Sequence, residues 1–501
     1  MNNYNRHLIH LDEEMLLSFI TRLETRGFTV QTGELKYFDI LKLCSEGVID
    51  NCVAQNAKAA YGACILPPAP NQEQITKHHH HQDYQYLYPP NIDYVAPGYT
   101  YKLRSDEAVV FIGKTPPPAK YFAFRSYLGF VRNLKGKDYS NAIAAGEFGT
   151  VTAGDEKTGQ YHMVGADLGD QLNNLNIWTE HTPNGLPGYP FKSSSIIIST
   201  ADQQINYIIR EALNASGYSS KMMNNDNIPA GLVNMGLEKG KDTFMFIMRV
   251  ALWENEEEGE KYLNNLSKYW HVLRITPNRP IDNKYPWPIP HLKFQETCPT
   301  EFNILPNARN ELNYLRKEII KRYEDEYDYV ELSTYRWETA GYEAIVQDIN
   351  VVLNNRDALF LRTNSFQLTS DDDFVIMYGV NHVHTGKALY FSSIFYGQEL
   401  LNGVTGITSE QCKDSVEKFM PQKFDNSKFY YVNKLARKGD GDCVGIIPYS
   451  TGNPQGKAFG VDNHEEAFVG FRIYVDRKTL VGPSPFDVIW DKAIVFTKKR
   501  N

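Results

Sequence analysis

The sequence predicts an α+β fold: a tandem duplication of one α+β unit with mainly antiparallel sheets, preceded by a helical N-terminal region. Three observations carry this reading. Apolar residues near the N-terminus recur at spacings of three and four, the helical period, whereas from about residue 100 they gather into short β-rich runs bounded by turn residues. Those runs fall into two sets with matching order and rough spacing. A chain of 501 residues with 42% hydrophobic and 22% charged side chains can also bury the cores that two such units need.

The opening helix places Leu11, Met15, Leu16, Phe19, Ile20 and Leu23 on one face, and Gly27 follows as its stop. Further helix is expected across 34–62, ended by the prolines of 65-ILPPAPNQ-72, so residues 1–70 form the helical region. Residues 71–100 are polar, tyrosine-rich and punctuated by prolines, the pattern of a connector. The four histidines at 78–81 lie there, and a loop without fixed geometry makes a poor specific metal site.

The first repeat is expected over 101–280, with strands at 109–112, 121–131, 195–199, 243–253 and 270–277. Its helix at 201–217 carries Ile205, Ile208, Ile209 and Leu213 as a stripe, with Thr200 as N-cap and Gly217 as stop, and an acidic helix follows at 254–266. A proline-rich bridge and helix occupy 281–345, with Leu312, Leu315, Ile319, Ile320 and Tyr323 along one face. The second repeat runs over 346–501.

The duplication is read from the chain against itself. 103-LRSDEAVVFIG-113 matches 368-LTSDDDFVIMYG-379, and 119-AKYFAFRSYLG-129 matches 388-ALYFSSIFYG-397. Late in each half an apolar strand carries an arginine, Arg249 and Arg472, which needs a polar partner if it faces inward. The acidic residues at the start of the matched strands, Asp106 with Glu107 and Asp371 to Asp373, suggest a strand-start role more than catalysis.

The two copies differ in the β–β connection that follows. The first has 114-KTPPPA-119; the second has 380-VNHVHTGKA-388. If the strand continues through Asn381, His382 and His384 point to the same side, as two ligands of a divalent transition metal would. His464, beside Glu465 and Glu466, is the expected completion of a site with His382 and His384 as metal ligands. Lys387, with Glu465 and Glu466, is the candidate for acid–base work. The bland alternative is hydrogen-bonded loop histidines and an exposed lysine.

Other chemistries lack their signatures. A net charge of −8 without a lysine or arginine block argues against nucleic acid as a partner. No segment approaches a membrane span, and the N-terminus lacks a signal-peptide pattern, which predicts a cytoplasmic chain if Met1 is the natural start. Six cysteines without a CxxC pair read as buried or free thiols. The segment 439-GDGDC-443 lacks the spacing of a calcium loop. No nucleotide-cofactor motif, nucleophile elbow or HExxH occurs. Two functional expectations follow: an enzyme acting on a small molecule in a cleft between the repeats, with the His-x-His loop as a metal site, or a non-catalytic ligand- or protein-binding protein built from the duplicated unit.

Overall fold

The computed structural model describes residues 3–41, 52, 54–72, 100–132, 152–153, 161–182, 189–238, 240–282, 285–337, 340–412, 414–420, 426–439, 443–450 and 460–500. The four histidines at 78–81 and Asp440, Gly441 and Asp442 lie outside the described residues. The fold is mixed α+β with several sheets, and the chain divides into two units. Unit 1 takes Met1–Phe38, Tyr61–Leu292 and Gly341–Asn354; unit 2 takes Asp39–Ala60, Lys293–Ala340 and Asn355–Asn501.

Unit 1 contains α1 (Asn3–Thr25), β1 (Phe28–Tyr37), β2 (Ala59–Ile65), β3 (Ala108–Lys114), β4 (Ala119–Arg132), β5 (Thr152–Ala153), β6 (Tyr161–Asp167), β7 (Leu172–Asn173) and β8 (Ser194–Thr200). It continues with α2 (Gln203–Ala215), β9 (Met223–Asn227), β10 (Phe244–Trp253), α3 (Glu256–Leu263), α4 (Leu266–Tyr269) and β11 (Trp270–Pro277). The strand order is β5-β6-β4-β10-β2-β1-β11-β3-β8-β9, with β7 on β4. Among the strand pairs whose register is described, pairing is antiparallel except for β8 with β9.

The strand β1 is the pivot of this sheet. Its residues 28–33 pair with β11 and residues 34–37 pair with β2. Gly33 stands where the partner changes; a Cβ there would lie 2.6 Å from the Ile65 carbonyl oxygen, so only a bare backbone passes. Among the described residues, the expected helical N-terminal region holds the helix α1, the strands β1 and β2, and a helical start at Ile40 and Leu41 between them. Thr29, Val30 and Thr32 are β-branched and pair with β11, more than 230 residues away, a partner that the local apolar spacing does not reveal.

Alternation along the strands sends Val110, Ile112, Ile196 and Ile198 to the helices α1 and α2, where they meet Phe19, Leu23, Ile205 and Ile209. On the opposite face Phe111 stacks on Phe246 of β10 with ring centroids 3.8 Å apart. The N-cap of α2 is Asp202, whose carboxylate accepts from the backbone N–H of Gln204 and Ile205 at 2.7 and 2.9 Å. The expected cap, Thr200, instead ends β8 and donates to the Glu107 carbonyl at 2.9 Å.

Unit 2 contains α5 (Glu301–Ile304), α6 (Ala308–Tyr323), β12 (Tyr327–Leu332), β13 (Thr334–Arg336), β14 (Ala358–Thr363), β15 (Phe366–Gln367), β16 (Phe374–Val380) and β17 (Tyr390–Gly397). Its remaining strands are β18 (Asn402–Thr408), β19 (Tyr430–Ala436), β20 (Val444–Ile446), β21 (Glu466–Tyr474) and β22 (Lys492–Lys498). One sheet runs β12-β22-β16-β19-β20 and the other β13-β14-β21-β17-β18, with β15 on β21. Here too the single parallel contact among the described strand pairs is the last, β19 with β20.

Every residue of β16 is buried. Val375 and Met377 enter the core between the two sheets, while Phe374, Ile376, Tyr378 and Val380 pack under α6 against Leu312, Leu315 and Ile319. Burial on both faces explains why this strand reads as a continuous apolar run. Among the described residues, no helix is long and apolar enough to cross a membrane. Cys64, Cys298, Cys412 and Cys443 are free thiols, and Cys52 is disulfide-bonded.

Candidate functional site

The β16 strand ends at Val380 and the chain turns rather than extending. The N–H of His384 donates to the Asn381 carbonyl at 3.0 Å, and those of Lys387 and Ala388 both reach the His382 carbonyl, at 2.9 and 3.0 Å. Gly386 closes the turn at φ +80°, in the left-handed region. Strand alternation therefore does not apply at 382–384, and the two imidazoles part. His384 is exposed, its Nδ1 against the Lys428 carbonyl.

His382 is 0% exposed. Its Nδ1 lies 2.7 Å from Glu301 Oε1 and its Nε2 3.4 Å from Asp491 Oδ2. Each carboxylate is itself held. Glu301 accepts from Thr385 Oγ1 at 2.7 Å and from the Ile489 N–H at 2.7 Å, and Asp491 accepts from the Tyr431 hydroxyl at 2.6 Å. Burial works against charge on the imidazole, but the Glu301 and Asp491 carboxylates outweigh it and push its pKa up to about 10. His382 is thus an imidazolium with both ring N–H groups donating to carboxylates.

Lys387 is also buried. Its ammonium donates to the Thr297 carbonyl at 2.9 Å and sits 3.4 Å from both Asp476 and Asp487 carboxylate oxygens. The segment that supplies these partners is anchored as well. The Thr297 N–H donates to Asp487 Oδ2 at 2.6 Å, and the Glu301 N–H donates to the Asp487 carbonyl at 2.8 Å. Glu301 opens α5, a single turn fixed by a capping box between Thr300 and Asn303. The turn, α5 and the segment before β22 form one buried network of two cations and four carboxylates.

His464, Glu465 and Glu466 stand elsewhere in unit 2. They line a pocket of about 420 Å³ with Gln367, Gln398 and Asn402. His464 has φ +68°, an uncommon backbone for a non-glycine residue. Glu465 accepts from the Asp462 N–H at 2.8 Å, and Glu466 accepts from Gln367 Nε2 at 3.0 Å. The six candidate residues are therefore distributed: His382 and Lys387 in the buried network, His464, Glu465 and Glu466 in the pocket, and His384 beside Lys428. Among the described residues, no group of three or more histidine, cysteine, aspartate or glutamate side chains is arranged to hold a metal ion.

The strand-start acids have structural partners. Glu107 forms a two-point pair with the buried Arg274, and Asp373 accepts from Thr369, Ser370 and the Lys498 N–H. Hydrogen bonding from these groups holds the Asp373 carboxyl below its usual range against the opposing effect of burial.

The two strand arginines face inward. In unit 1, Arg249 donates to the Tyr127 hydroxyl and the Leu353 carbonyl, with its guanidinium 6.0 Å from the Tyr61 ring centre. In unit 2, Arg472 donates to the Tyr396 hydroxyl at 3.0 Å and to the Ala54 carbonyl, with its guanidinium 4.8 Å from the Phe360 ring centre. Leu353 and Ala54 both have positive φ, +60° and +49°.

Sequence reasoning missed Glu301, Asp476, Asp487, Asp491 and Tyr431. Their one local signal is the Thr-x-x-Asn capping pattern at 300–303, which marks a helix start but not that Glu301 partners a histidine 81 residues on.

No family model matches this chain, and no curated protein matches its sequence. Solved structures aligned with it include an uncharacterised protein from Burkholderia cenocepacia, 8% identical over 99% of this chain and 89% of that one, with a TM-score of 0.36. Another is the VPA0106 protein from Vibrio parahaemolyticus, 9% identical over 97% of this chain and 99% of that one, with a TM-score of 0.34. Likeness at this level carries neither fold nor function to this chain.

Proposed function

We propose that this chain is a non-catalytic binding protein built on a tandem duplication of an α+β unit, with the His-Val-His turn as a structural clip and a small polar ligand received by the pocket of Gln367, Gln398, His464, Glu465 and Glu466. One observation carries the functional half: both ring nitrogens of the fully buried His382 face carboxylates. This supports a structural use of the side chain that the sequence singles out, in preference to a metal-binding or catalytic one.

The duplication is supported by strand order. In unit 1 the sequence β6-β4-β10-β2-β1 and the sequence β1-β11-β3-β8-β9 find counterparts in β18-β17-β21-β14-β13 and β12-β22-β16-β19-β20. Arg249 stands opposite Ala123 and Arg472 opposite Ser392, the same place in the matched 119–129 and 388–397 segments.

Elemental mass spectrometry of tag-free protein tests the clip. The expected result is metal far below one equivalent in both the parent and His382→Gln. Near-stoichiometric metal in the parent, lost in the variant, overturns it. Thermal shift against sugars, amino acids and polyamines tests the pocket: one class should raise the midpoint of the parent and not of His464→Ala/Glu466→Gln.

A second reading, an enzyme acting on a small molecule, is favoured by one feature, the left-handed His464 flanked by Glu465 and Glu466 in a pocket of substrate size. In it His464 and the two glutamates would do acid–base work, without His382, His384 or Lys387. Turnover of a shifted ligand, abolished in His464→Ala, would select it.

A further inference from the structure

We infer that each unit is completed by an arm delivered from within the other unit's run of strands, so that the two units depend on each other to fold. The inference deepens the duplication proposed above and rests on it for the equivalence of the arms. The first arm belongs to the stretch Asp39–Ala60, which the chain makes between β1 and the body of β2, yet it is part of unit 2. The second, Gly341–Asn354, comes between β13 and β14 and is part of unit 1.

The arms share a sequence and a set of bonds. 51-NCVAQN-56 and 350-NVVLNN-355 have asparagine first and last and valine third. At the second position the Cys52 N–H donates to the Leu400 carbonyl at 2.8 Å, and the Val351 N–H donates to the Val164 carbonyl at 2.9 Å. At the fourth, Ala54 and Leu353 turn left-handed and offer their carbonyls to Arg472 and Arg249. At the fifth, an amide side chain grips the neighbouring strand. Gln55 accepts from the Gly403 N–H at 3.1 Å on β18, and Asn354 accepts from the Asp167 N–H at 2.8 Å on β6. At the sixth, each asparagine caps its own exit turn: Asn56 accepts from the Lys58 N–H at 2.9 Å and Asn355 from the Asp357 N–H at 3.0 Å. Three residues after that asparagine comes an alanine, and two further on the aromatic ring over which the unit's own arginine lies: Tyr61 under Arg249, Phe360 under Arg472.

The physical consequence follows from the arginines. A buried guanidinium that loses one of its acceptors is costly, so a unit lacking its arm carries a less satisfied charge in its core. The arm cannot be withheld from one unit without unsettling the stretch of chain that holds the other.

Hydrogen-exchange mass spectrometry on the full chain tests this. Ala54→Ile forces a β-branched residue into the left-handed region and should cost β17 and β21 at least tenfold in protection, more than 330 residues away, with a smaller effect on β1 and β2. Leu353→Ile should strip β4 and β10 in the same way, with a smaller effect on β13 and β14. Should Ala54→Ile fail to fold, Ala54→Gly relieves the strain and should raise protection in β17 and β21. Effects confined to β1 and β2 for position 54, or to β13 and β14 for position 353, overturn the exchange. Arg249→Met and Arg472→Met separate the two claims. If each loosens its own strands while the arm variants act locally, the duplication stands and the exchange falls; if only one arginine matters to its unit, the duplication falls.

Discussion

His382 shows how a residue chosen for its chemistry can be used for its charge. An imidazolium between Glu301 and Asp491 pairs with two buried carboxylates, and the two hydrogen bonds fix the turn after β16. Its folded pKa of about 10 lies above the ordinary histidine value near 6.5, so the sign is set. The stabilisation is complete below about pH 6.5 and is lost as pH rises through about 10. Urea midpoints of the parent should therefore fall from pH 6 to 10.5 relative to those of His382→Gln. At pH 6 the variant should be less stable by about 3–5 kcal/mol, because it strands two buried carboxylates. A parent-to-variant difference that is flat with pH would remove His382 as the titrating group. The sequence points to His382 and Lys387 because their loop departs from its proline-bearing counterpart. It does not point to Glu301, Asp476, Asp487 or Asp491, because carboxylates meet a histidine only through tertiary packing, and one acidic residue looks like another along a chain.

Elements were readable where a local rule decides them. Strands such as β3, β4, β8, β10 and β16 follow from β-branched and aromatic runs between turn residues, and α2 and α6 from their apolar stripes. Within 34–62 the apolar spacing fits a helix and Ile40 and Leu41 are helical, but residues 34–37 and 59–62 belong to β1 and β2, decided by ladders that no local window contains. The turn 381–387 misleads for a related reason: the ladder ends at Val380, and strand alternation does not carry past it. Gly386 gives that turn a clean test. A Cβ there would meet nothing within 4 Å, so a substitution feels the backbone alone. Gly386→Val should cost about 1–3 kcal/mol in urea unfolding, and Gly386→Asn distinctly less, because asparagine visits the left-handed region more readily. Equal costs for the two would mean that something other than φ governs the position.

At the scale of the whole molecule, each unit is drawn from three separated pieces of chain, and this is the level a linear reading handles worst. Periodicity finds strands and self-comparison finds paired segments, but neither says which unit receives a connecting stretch such as 39–60 or 341–354. The arms became recognisable only from the bonds they make with Arg472 and Arg249. If both units depend on delivered arms, neither has a private stability, and damage in one core must register in the other. The tryptophans allow this to be read, because Trp178, Trp253, Trp270 and Trp287 belong to unit 1 and Trp337 and Trp490 to unit 2. In protein labelled with 5-fluorotryptophan, fluorine NMR across a urea series should show all six signals changing at one midpoint. Arg472→Met, a substitution in unit 2, should shift that midpoint downward by the same amount for the unit 1 signals. Units that fold alone would instead give two midpoints in the parent and leave the four unit 1 signals of the variant where they were, since nothing in their own ladders depends on Arg472.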